Sequence, residues 1–177
     1  LNETKSPRIV HIATHGFAFD HALRYDSTLT HFAYNKYPMA RTGLILAGGN
    51  WTWGGNDTLE HMGLQHDGVL TAIEISNMDL SNTELAVLSA CNTAKGQIQG
   101  NEGTFGLKRA FKLAGVEYIL VSLWSVPDQE TSELMSLFYK QIAKGFGVEQ
   151  AFNTAQSQMR NDYSNRPNLW AGFVLVR

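Results

Sequence analysis

Apolar positions in this chain come in short blocks, set between polar or glycine-rich stretches. The run Leu85-Ala-Val-Leu88 is too short for an ordinary helix and reads as a buried strand. It leaves into Ser89-Ala-Cys-Asn-Thr93, small and polar residues that suit a turn. Ile9 to Thr14 reads as an earlier strand, with His11, Ala13 and His15 on one face by the period of two. Gly43-Leu-Ile-Leu-Ala-Gly-Gly49 is a strand with a glycine stop, and Leu169 to Val176 is the last strand. Tyr118-Ile-Leu-Val-Ser-Leu-Trp124 is apolar without alternation, as a strand covered on both faces should be.

Between the strands the period changes. Thr104 to Ala114 predicts a helix with Phe105, Leu107, Ala110, Phe111 and Ala114 largely on one side, and Gly115 suits the position just past its end. A helix starting at Asp128 carries Leu134, Leu137, Phe138 and Ile142 at helical spacing. Another from Val148 carries Ala151, Phe152, Ala155 and Met159. Asp67 before Gly68-Val-Leu-Thr-Ala-Ile-Glu-Ile-Ser76 predicts a short helix capped by its carboxylate, and Asn77 to Thr83 a turn into the next strand. Residues 17 to 42 show no clean periodicity and read as a long connection with a hairpin, on the side of the sheet where His15 points. Strands alternating with helices imply an α/β fold with a mainly parallel sheet and helices on both faces.

Composition adds limits. A length of 177 residues fits one domain with its own core, and 44% hydrophobic with 17% charged residues is ordinary for a globular protein. A net charge of −2 gives no reason to expect nucleic acid or an acidic membrane surface as a partner. No apolar run approaches the ~18 residues of a membrane span, and residues 1–7 do not form a signal peptide. One cysteine excludes an internal disulfide and suits a reducing, cytoplasmic compartment.

That cysteine carries the candidate chemistry. Cys91 stands where a strand becomes a loop, and ligands collect at the carboxyl ends of strands in open α/β sheets. His15 follows the first strand in the same way. If the two strands are parallel neighbours, thiol and imidazole meet at one sheet edge, the minimum apparatus of a cysteine nucleophile. The imidazole can lower the thiol pKa or take its proton as attack begins. Gly16, lacking a Cβ, lets backbone approach a ligand. The plain alternatives are a buried structural cysteine and a hydrogen-bonded histidine. A metal site built from His11, His15 and Cys91 lacks carboxylate support. No cofactor motif is present: Gly100-Asn-Glu-Gly103 lacks the Lys-Ser/Thr of a phosphate loop.

His15-Gly16 after one strand and Ser89-Ala90-Cys91 after another resemble the caspase-like cysteine peptidases, and more closely the CHAT domain, the caspase-like module often attached to tetratricopeptide repeats. Four further stretches are similar to it: Asp67 to Ile75, Gly103 to Gly115, Val121 to Asp128, and Trp170 to Val176. The resemblance implies a caspase-like three-layer sandwich and a cysteine endopeptidase with a His15–Cys91 dyad and no third member. It implies an oxyanion hole from the amides of Gly16 and Cys91, each donor typically contributing about 2.7–4 kcal/mol. It also implies that Ser122 to Asp128 helps wall the substrate pocket. Trp124 and Val126 are the candidate walls, and Asp128 is a selector of a basic residue before the cut or a helix N-cap. The expected partners are a protein or peptide substrate and a regulatory helical-repeat domain or activating protein. Residues 1–177 are then a single CHAT domain excised from a longer chain, without an upstream strand, helix and sensor domain.

Two other readings stay open: a non-catalytic interaction module of the same fold using its aromatic loops, and a different cysteine chemistry such as acyl transfer. Gln97 to Gly103 and the tryptophan loop Asn50 to Asp57 are rich in Gly and polar residues, and are expected to be mobile until a partner orders them.

Overall fold

A computed structural model describes residues 6–19, 33, 35–49, 67–89 and 102–177, with backbone alone at 102–104. Two sheets are present among them. The first has the order β1 (Ile9–Ile12), β5 (Leu85–Leu88), β6 (Tyr118–Ser122), β7 (Phe173–Val176). β1, β5 and β6 run parallel and β7 is antiparallel to β6. The second is antiparallel, with β2 (His15–Ala18), β3 (Thr42–Ile45) and β4 (Val69–Thr71) in sequence order.

The four-residue strand β5 is buried at every position because both faces are covered. Ala86 and Leu88, with Ile119 and Val121 of β6, face one layer, formed by α1 (Ala72–Ser76) and α2 (Glu102–Leu113). Leu85, Val87 and Leu120 face the other, formed by α3 (Asp128–Ala143) and α4 (Val148–Asp162). The period of two along each strand thus feeds two cores, giving a three-layer sandwich with helices on both faces of a mainly parallel sheet. α4 buries the expected stripe Ala151, Phe152, Ala155 and Met159, together with Val148. α3 buries Leu134 and Phe138 as expected, with Met135 between them.

Several boundaries differ from the sequence reading. β1 stops at Ile12, and His15 opens β2 in the second sheet rather than ending the first strand. The hairpin in the 17–42 connection is thus part of a separate three-stranded sheet. Asp67 caps no helix: its Oδ1 accepts from the amide of Val69 in the turn before β4. The cap of α1 is Thr71, whose Oγ1 accepts from the Glu74 amide while the Glu74 carboxylate accepts from the Thr71 amide at 2.8 Å. This reciprocal box anchors a helix of only five residues. Glu74→Ala should lower stability by about 1 kcal/mol, read as a shift in the urea midpoint without change of slope.

α2 begins at Glu102, two residues before the expected start. Phe105 does not join its buried stripe. It is 59% exposed, with the Lys108 ammonium 4.1 Å from its ring centre. The buried set is Leu107, Ala110, Phe111 and Ala114, and a residue two positions before Leu107 sits about 200° around the helix from it. Past the helix, Gly115 takes φ +100° and Val116 donates to the Phe111 carbonyl at 3.1 Å, the expected glycine-terminated end. β6 ends at Ser122, leaving Trp124 beyond it, and the last strand shortens to Phe173–Val176 after a 3₁₀ turn at Pro167–Leu169.

Candidate active site

β1 and β5 are parallel neighbours, with Ile12 paired to Leu88. The Ser89 amide extends the ladder by donating to the Ile12 carbonyl at 3.1 Å. Both chains therefore leave the sheet at the same level. His15 is three residues past Ile12, and Cys91 is three residues past Leu88 in the sequence. Cys91 itself lies outside the described residues, as do Asn50 to Asp57 and residues 97–101 of the second loop expected to move.

His15 is exposed and pairs across the second sheet with Ile45, while Gly16 is buried opposite Leu44. Thr14 Oγ1 donates to the Ile45 carbonyl, which fixes the corner where the chain passes from β1 to β2. The sheet change sends His15 outward at the carboxyl edge of the parallel sheet, which strand periodicity alone does not foretell.

Beside this edge lies a cleft of about 530 Å³ bordered by His11, Ser89, Asp128, Ser132, Ser136 and Tyr139 among others. Its apolar lining comes from Ala13, Met135 and Phe173. Of the three expected pocket residues, Asp128 borders this cleft. It occupies the first turn of α3 rather than the N-cap, which is Pro127, so its carboxylate is exposed at the positive end of the helix. Trp124 stands elsewhere: it is 41% exposed, its Nε1 donates to the Asn168 carbonyl at 3.0 Å, and its ring lies against Gly172. Val126 is 2% exposed and belongs to the core beneath α3.

The sequence reading missed the polar wall. Thr131, Ser132, Met135, Ser136 and Tyr139 form one edge of α3, and their spacing of three and four could have marked it. His11 belongs to the same wall. Its Nδ1 is 2.9 Å from the Tyr139 hydroxyl and its Nε2 is 3.3 Å from Ser89 Oγ. Partial burial holds the His11 pKa below the ordinary imidazole value and raises that of Tyr139. Both shifts favour the neutral forms.

Among the described residues no group of three or more His, Cys, Asp or Glu side chains is placed to hold a metal ion. No helix among them is long and apolar enough to cross a membrane.

Comparison with known proteins agrees with this architecture. The profile of the CHAT domain matches residues 1–177. The chain is 31% identical over 109 residues to tetratricopeptide repeat protein 28 of Mus musculus, a match covering 61% of this chain and 4% of that protein. It is 29% identical over the same length to tetratricopeptide repeat protein 28 of Homo sapiens, with the same coverage. The matched region is thus a small part of much longer relatives. With the family profile matching residues 1–177 and the mainly parallel, doubly covered sheet in place, the chain belongs to the CHAT domain family, a caspase-like family.

Proposed function

We propose that this domain is a cysteine endopeptidase in which His15 and Cys91 form the catalytic dyad. The observation that carries the reading is the parallel pairing of β1 with β5, because His15 and Cys91 follow the paired Ile12 and Leu88 by the same three residues. In this mechanism His15 takes the thiol proton and Cys91 Sγ attacks the scissile carbonyl. The oxyanion forms toward the amides of Gly16 and Cys91. Collapse breaks the C–N bond, and His15 returns its proton to the leaving amine. Water, deprotonated by His15, then releases the acyl group and regenerates the thiol.

The substrate is a protein or peptide segment, selected by the residue before the cut. The exposed Asp128 carboxylate on the cleft rim supports a basic side chain there, with its aliphatic stem along Met135 and Phe173. Trp124 and Val126 lie off this cleft, Trp124 partly exposed against Gly172 and Val126 in the core beneath α3, so selection falls to Asp128. A helical-repeat domain or a protein partner would govern activity, in keeping with the tetratricopeptide repeats named in its relatives. Such control requires the partner to bind the competent conformation more tightly than the resting one. A reducing, cytoplasmic setting suits a thiol nucleophile.

The test is cleavage of a peptide library by the domain and by its full-length chain, with Cys91→Ala as control. Cleavage dependent on Cys91 supports the reading, and none by either form overturns it. In the same assay Asp128→Asn should lower kcat/KM for Arg and Lys substrates about tenfold or more while sparing uncharged ones, since it removes one charge-assisted contact. Equal loss across the library would show that Asp128 does not select.

A further inference from the structure

Three groups from three elements meet at the carboxyl end of the β1–β5 pair, and the dyad chemistry uses none of them. His11 is on β1, Ser89 follows β5, and Tyr139 is on α3. The Tyr139 hydroxyl, the two nitrogens of His11 and Ser89 Oγ form one hydrogen-bonded chain, with separations of 2.9 and 3.3 Å. A neutral imidazole has one donor and one acceptor nitrogen, so the chain runs either Tyr to His to Ser or the reverse. Both directions are complete, since each hydroxyl can donate or accept.

The place of this chain explains its use. Deeper in the sheet, α3 is held to β5 and β6 by close apolar packing of Leu134, Met135 and Phe138 with Leu85, Val87 and Leu120. At the strand exits that packing gives way to the cleft, and an open space supplies no dispersion contacts. Among the described residues, a directional link from Tyr139 through His11 to Ser89 joins the exit of β5 to α3 there. Ser89 is two residues before Cys91 in the sequence, and His11 is four before His15.

We infer that His11 is a positioning residue: the Tyr139–His11–Ser89 chain holds the exits of β1 and β5, and hence the segments leading to His15 and Cys91, in fixed relation to α3. The inference rests on the peptidase reading above. His11 touches no reacting atom. It acts by holding Ser89, and a displacement of about 1 Å at a nucleophile costs on the order of 10²-fold in rate.

Three substitutions test it. Tyr139→Phe removes one hydroxyl and keeps the ring, His11→Leu removes the link, and His11→Gln retains a donor and an acceptor. The first readout is hydrogen exchange at the Ser89 amide, bonded to Ile12, relative to the Leu85 amide at the other end of β5, bonded to Arg8. Tyr139→Phe and His11→Leu should speed exchange at Ser89 about tenfold and leave Leu85 unchanged, whereas general destabilisation would speed both. His11→Gln should restore most of the protection. The second readout is peptide cleavage, where kcat should fall about tenfold or more in the first two variants with KM nearly unchanged. Exchange at Ser89 that stays as in the wild type, or changes only in step with Leu85, overturns the link. Fast exchange at Ser89 with an unchanged kcat overturns its positioning role. Absence of any Cys91-dependent cleavage in the wild type would instead refute the peptidase reading, and the positioning role with it, while the exchange comparison still decides whether the link holds the strand exit. Should His11→Leu not fold, Tyr139→Phe carries both readouts.

Discussion

Replacing Cys91 with Ala is expected to abolish peptide cleavage while leaving far-UV circular dichroism and the urea midpoint close to wild type. The loss should be on the order of 10⁴-fold or more in kcat, because alanine offers no atom to form the acyl intermediate. His15→Ala should cost nearly as much. In the proposed dyad the two residues serve one step, so the double variant should be little worse than either single one. Folding should be spared at His15 because its side chain is exposed where β2 begins, away from both apolar cores. Full activity in either single variant means that the dyad is misassigned. Near-additive losses in the double variant mean that the residues act in separate steps.

The largest effect on stability is expected at Phe138. It is fully buried between the sheet and α4, with an edge-on contact to Phe152 at 6.2 Å and a tilted one to Tyr139 at 5.2 Å. Leu85, Val87 and Leu120 belong to the same cluster, so the ring ties β5 and β6 to both helices of that layer. Phe138→Ala removes its apolar area and leaves a cavity that three elements must collapse to fill, at a cost of about 3–5 kcal/mol. That is a large share of the ~5–15 kcal/mol that holds an ordinary domain folded. Urea denaturation followed by circular dichroism should show a much lower midpoint at similar slope. Phe105→Ala is the matched control: its ring is 59% exposed, so the change should stay within about 0.5 kcal/mol. A small effect at Phe138 would mean that α3 is held by something other than this cluster.

Local sequence carried the layered fold because the cores are written in short-range patterns. Leu85 to Leu88 and Tyr118 to Val121 are apolar at consecutive positions, as a short strand covered on both faces should be. The α4 stripe of Ala151, Phe152, Ala155 and Met159 is a helical period and nothing else. Where two local signals compete, the reading slipped. Asp67 and Thr71 are both cap residues at the head of one apolar run. The ladder from β3 to β4 claims residues 69–71 as strand, leaving the cap to Thr71. Phe105 is apolar, but its angular position keeps it off the core, and Lys108 covers it instead.

The site divides along the same line. The sequence by itself determined that His15 and Cys91 each follow a short apolar strand, and which residues could fill the two cores. Those facts depend on side-chain type and on periods of two and 3.6. Only the tertiary structure decided that β1 and β5 are parallel neighbours in the register Ile12 to Leu88, that the chain changes sheets before His15, and that Tyr139 reaches His11 across 128 positions. Strand order and helix docking are set by which apolar faces bury one another over long sequence separations. A local pattern specifies that a face must be covered, and the packed whole selects what covers it.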